Sequence, residues 1–122
     1  ELTIADSIAV GIPRNPVKGM DAVLKSNGAF IEVDDDEILK SMRILAEKEG
    51  IFAEPAAAAS VAGYIKARRT NLIKKDESVT IIVTGNGLKD QNTAFKTIKD
   101  WVEMEPDLQA LITYIENNKG EK

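Results

Sequence analysis

The 122-residue sequence contains no cysteine and no histidine. Without cysteine there is no disulfide framework, no thiolate nucleophile and no sulfur ligand for a metal. Without histidine the commonest general base is gone, and with it the Ser-His triad and most zinc sites. No apolar run approaches the ~20 residues that a membrane-spanning helix needs, and no signal-peptide pattern stands at the start. Acidic residues outnumber basic ones, 20 to 16, for a formal net charge of −4. That balance argues against nonspecific nucleic-acid binding. The length fits one domain, and the composition is expected of a cytoplasmic protein. The chain opens at Glu1 and not at methionine; a processed or trimmed start is the plain reading, and the tail piece of a longer protein the sharper one.

Residues 1–16 are small and semi-apolar, punctuated by Gly11, Pro13 and Pro16. They read as a loop with a short extended piece at 8–10. Val17, Met20, Val23 and Leu24 share a helical face, and Asn27-Gly28 closes that helix in the left-handed conformation. Residues 29–33 alternate and are β-branched, so a short strand is expected. Asp34, Asp35 and Asp36 then open a helix, their oxygens capping free amides at the positive end of the dipole. No glycine-spaced ligand loop surrounds them, so a calcium or magnesium site is the weaker reading. Ile38, Leu39, Met42, Ile44 and Leu45 make a broad apolar face, and Gly50 ends the helix. After a connector at 51–53, Pro55 suits a first helical position. Ala56 to Ala59, Ser60, Ala62 and Gly63 leave that helix almost without bulk, so backbone or a planar ligand can approach it closely. Lys66, Arg68 and Arg69, joined by Lys74 and Lys75, complement its negative end and read as a solvated cluster. The run 79–83 is apolar without alternation, as in a parallel strand covered on both faces. Helices are expected at 91–101, with Ala94, Phe95, Ile98 and Trp101 on one face, and from Pro106, with Leu108, Leu111, Ile112 and Ile115 inward. The last residues, 117–122, should fray. Two strands make a poor sheet, since stable sheets hold ~4–6. The fold class expected is therefore α/β, a partial parallel sheet flanked by helices.

The segment V-T-G-N-G-L-K-D, residues 83–90, carries the chemistry. Thr84 puts a donor–acceptor hydroxyl at the carboxyl end of a strand, where open α/β sheets bind ligands. The loop is not a Walker loop, and it lacks the third glycine of a dinucleotide fingerprint, because Asp90 stands there. A tight turn explains Gly85 and Gly87 as well as a ligand does.

Three pieces in order, T-I-A-D-S-I-A-V-G-I-P-R-N-P (3–16), E-G-I-F-A-E-P-A-A-A-A-S-V-A-G (49–63) and V-T-G-N-G-L-K-D, resemble the carboxyl-terminal third of the threonine synthase family. The match covers residues 2–90; the remainder is only loosely similar. The resemblance implies a piece of a fold-type II pyridoxal-phosphate (PLP) enzyme of the tryptophan synthase β kind. Residues 1–90 would then be the carboxyl-terminal part of the large PLP-binding domain, and 91–122 a helical tail. The family converts O-phosphohomoserine and water to L-threonine and phosphate. By that resemblance Thr84 hydrogen-bonds the pyridine nitrogen of PLP, a neutral partner that does not force a proton onto it. Gly85, and with it Asn86 and Gly87, lets backbone pass close to the ring, while residues 5–10 line the site from the other side. The family's Schiff-base lysine and phosphate loop lie upstream, and Lys89 is not that lysine. The isolated chain is therefore expected to be inactive and not to retain PLP. Its uncovered sheet edge predicts a homodimer or larger assembly. Serine/threonine dehydratase is similar at 3–11 but differs at the terminal motif, and cysteate synthase stays open. A non-catalytic module that binds a small anion or serves assembly is the alternative from another class.

Overall fold

The computed structural model of the chain describes residues 2–98 and 101–118. Its elements run in the order a 3-10 turn at Asp6–Ile8, α1 (Pro16–Lys25), α2 (Asp35–Glu49), α3 (Pro55–Arg69), a 3-10 turn at Gly87–Asp90, α4 (Gln91–Thr97) and α5 (Leu108–Asn117). The centre is the pairing of α2 with α3. Ile38, Met42 and Leu45 of α2 are buried against Ala57, Ala58, Val61 and Ala62 of α3. The small α3 side chains let the two backbones come close, as their sequence implied, and the occupant of that face is α2.

The helix ends follow their sequence signals. The Asp34 carboxylate accepts from the Glu37 amide at 2.8 Å, and the Asp34 amide donates to the Glu37 carboxylate at 3.2 Å. This is a reciprocal capping box. Gly50 ends α2 at φ +65°, a conformation that favours glycine. Asn27, at φ 52°, closes α1. Asp35 is committed elsewhere: its carboxylate accepts from the Thr3 hydroxyl at 2.6 Å and from the Ile4 amide, fixing the amino-terminal loop to the start of α2.

Several expectations are corrected. Of the piece expected to be extended at 8–10, Ile8 instead ends a 3-10 turn, Asp6–Ile8, closed by its amide on the Ala5 carbonyl, while Ala9 after it is extended. Neither 29–33 nor 79–83 forms a strand, and among the described residues the one bridge is an antiparallel pair, Ala53 with Asn86. The reason is physical: a strand's hydrogen bonds are made to a neighbour, and neither segment has one. The run at 79–83 still shows the burial pattern of extended chain. Ile81 and Val83 pack on the core, Ile82 between them is 72% exposed, and the Ser60 hydroxyl donates to the Ile82 carbonyl at 3.1 Å. One face is covered, not both. Helix α4 ends at Thr97, short of the expected 101; residues 99 and 100 lie outside the described set, and Trp101 is exposed. Helix α5 starts at Leu108, because Asp107 takes the cap by accepting from the Ala110 amide and leaves Pro106 outside. Leu108, Leu111, Ile112 and Ile115 do not point into a core; all four are exposed. The predicted fraying of the end falls largely outside the described residues.

Candidate functional site

Thr84 stands where the covered run 79–83 ends and a pinned turn begins. The Glu54 amide donates to the Gly85 carbonyl at 3.1 Å, and the Gly87 amide donates to the Phe52 carbonyl at 2.9 Å. The segment expected as a connector, 51–53, together with Glu54, thus holds the turn by its backbone. The Asn86 side chain accepts from the Leu88 amide at 2.9 Å and caps the following 3-10 turn. Asp90 then caps α4, accepting from the Thr93 amide at 3.1 Å. The Thr93 hydroxyl and that amide hold the Asp90 carboxyl below the usual range. Thr84 itself is exposed, and its hydroxyl has no hydrogen bond to another described residue. A turn held by backbone hydrogen bonds therefore presents a hydroxyl with both donor and acceptor capacity open.

The two glycines have reasons inside the protein. Neither has a positive φ; among the described glycines only Gly50 does. A methyl at Gly85 would overlap the Glu54 carboxyl group, and one at Gly87 would overlap the Phe52 ring. The room that glycine gives at this turn is filled by Glu54 and Phe52, not by open space for a ligand's approach.

Sequence reasoning missed Glu54. Its side chain is 6% exposed, and its Oε2 lies 3.7 Å from Lys89 Nζ and accepts from the Ser7 hydroxyl at 3.5 Å. A buried carboxylate is costly unless paired. The signal was legible in one respect: Glu54 occupies the position before Pro55, where short cap residues are preferred, and it makes no side-chain cap bond. Around it opens a cleft of about 320 Å³ lined by Ile4, Asp6, Ser7, Ala56 and Lys89. A second hollow of about 370 Å³, lined by Met42, Arg43, Phe52 and Ile98, contains no residue of the turn. The basic cluster is largely committed: Lys66 and Arg69 pair with Glu37 at 3.3 and 3.0 Å, and Arg68 donates to the Lys74 and Glu77 carbonyls.

A neutral hydroxyl is chemically compatible with the ring nitrogen of PLP. Thr84 offers a neutral, exposed hydroxyl, but it lines neither hollow, and Ala5 is buried in the core. Residues 1–85 match the family model described as pyridoxal-phosphate dependent enzyme. The chain is 49% identical over 96 residues to a threonine synthase of Halalkalibacterium halodurans, covering 79% of this chain and 27% of that protein. It is 41% identical over 109 residues to a threonine synthase of Methanocaldococcus jannaschii, 89% of this chain and 27% of the relative. A Synechocystis threonine synthase is 43% identical over 109 residues, 88% and 28%. The chain thus spans about a quarter of the length of the relatives it matches. No helix among the described residues is long and apolar enough to cross a membrane.

Proposed function

Since the chain belongs to the pyridoxal-phosphate dependent enzymes, we propose that it is the carboxyl-terminal part of a threonine synthase, which converts O-phosphohomoserine and water to L-threonine and phosphate. Its similarity to threonine synthases, at 41–49% identity, supports this reading. Bound PLP would supply the electron sink. This chain's share is the pyridine side: the Thr84 hydroxyl would bond the ring nitrogen, and Gly85 to Gly87 would hold that hydroxyl in place. The single observation behind this assignment is the exposed Thr84 hydroxyl, without a hydrogen bond to another described residue, on a turn fixed at Gly85 and Gly87. Residues 1–90 would complete the large cofactor domain and 91–122 would be its helical tail. The run 79–83 would pair as a parallel strand with segments of the longer protein, which would cover Ile82.

Two assays test this. In the full-length protein, T84V keeps the shape and removes the hydroxyl. It is expected to weaken PLP binding about tenfold, the scale of one lost hydrogen bond, and to shift the absorption of the bound cofactor. Unchanged affinity and spectrum would remove Thr84 from the site. The isolated 122-residue chain, given O-phosphohomoserine and PLP, is expected to release no phosphate above a buffer blank, and measurable release would overturn the fragment reading.

A further inference from the structure

We propose that Glu54 is a positioning residue for Thr84, clamping the cofactor-facing turn to the start of α3; this rests on the PLP reading above. Three observations converge on it. The carboxylate is almost fully buried, yet the Oε2 partners Lys89 and Ser7 lie at the long end of their range. Those partners come from different segments, so one side chain ties the 3-10 turn at Asp6–Ile8, the first turn of α3 and the 3-10 turn at Gly87–Asp90 together. Finally, its other oxygen, Oε1, occupies the space that a side chain at position 85 would need. Gly85 has no positive φ to explain it. The glycine beside the cofactor-contacting threonine is there to admit a glutamate.

The backbone repeats the arrangement. The Glu54 amide holds the Gly85 carbonyl, and the Glu54 carbonyl accepts from the Ala58 amide at 2.9 Å. Glu54 is thereby locked to a fifteen-residue helix on one side and to the turn on the other. Thr84 is the residue immediately before this joint. Loss of the carboxylate leaves the backbone bond in place but releases Lys89 and Ser7. The turn then keeps its path and loses its fixed setting, which a hydroxyl aimed at one ring atom cannot tolerate.

The test is a set of variants of the full-length protein. E54Q is nearly isosteric and K89M removes the paired ammonium. Each is expected to weaken PLP binding by about tenfold, a typical cost of losing a supporting interaction, while the apo-protein's melting temperature stays unchanged. The double variant E54Q/K89M should be no worse than either single, because both break one clamp. E54D should recover part of the affinity, as a merely space-filling role would not allow. Wild-type affinity in both single variants, or additive losses in the double, would overturn the proposal. A second readout does not depend on the cofactor. G85A should lower the melting temperature of the apo-protein, and E54A/G85A should melt higher than G85A alone. If the second substitution gives no relief, Gly85 does not serve Glu54. Should the wild-type protein bind no PLP, the functional reading falls, and the G85A pair still decides whether Glu54 holds the turn.

Discussion

At the scale of single residues, the motif T-G-N-G divides its labour differently from what its letters imply. Thr84 is the one member with its side chain open to a ligand. Asn86 spends its side chain on the Leu88 amide, and Gly85 and Gly87 make room for Glu54 and Phe52. Substituting G87A forces a methyl into the Phe52 ring, and overpacking of this kind costs about 1–3 kcal/mol. A urea melt should read that loss, and F52A combined with G87A should restore part of it; equal stability of G87A and wild type would show that the ring moves away freely. The place of Thr84 was legible in the sequence because a polar residue ending an apolar run is a local signal. Glu54 was not, because what makes it notable is burial, and burial is set by Ser7, Gly85 and Lys89, which lie up to 47 positions away.

At the scale of elements, the helices were legible where their ends carry their own chemistry. Asp34 with Glu37, Gly50 and Pro55 each act within one turn of their own position, so no tertiary knowledge was needed. D34A should cost about 1 kcal/mol, the usual scale of a lost N-cap. Glu37 adds a pH dependence. The Asp34 amide, followed by Lys66 and Arg69, holds its carboxyl below the ordinary 4.5. A depressed folded-state value means that the unfolded chain takes up its proton first as pH falls. The Glu37 contribution is therefore complete above about pH 4.5 and is lost as pH falls through the lower folded value. E37Q should flatten the acid limb of a stability-versus-pH series and leave its shape above that point unaltered; an acid limb identical to wild type would remove Glu37 as its source. The strands were misread for the opposite reason. At 29–33 and 79–83 the propensity is present, but a ladder needs a partner that the described chain does not provide. Helix α5 has a clear apolar stripe, and nothing among the described residues covers it.

At the scale of the molecule, the core is small. Six of the ten buried apolar residues are alanines, leaving Ile38, Met42, Leu45 and Val61 to supply most of the bulk. M42A should cost about 2–5 kcal/mol, a large share of what a domain of this size has in reserve. Against that core stand Leu24, Phe30, Ile82, Trp101 and Leu108, each at least 60% exposed. Exposed apolar surface on this scale marks a place where protein normally sits. The isolated chain is expected to associate in a concentration-dependent way and to bind a hydrophobic dye. Sedimentation showing a compact monomer with a single sharp melt would count against its being part of a larger α/β unit. The partial sheet expected from local patterns is not formed among the described residues, and which faces stay uncovered could not be read from local patterns either.

The α2–α3 pair also fixes an order of events. Its contacts join neighbours in the chain across only the five residues 50–54, and contacts of short sequence separation form fast. The pair would act as an early-formed platform. The turn that carries Thr84 would settle on it afterwards, and strand partners from distant sequence would arrive last. In a refolding experiment on the full-length protein, helical signal should therefore recover well before the ability to bind PLP, and the interval between the two would time the assembly of the site.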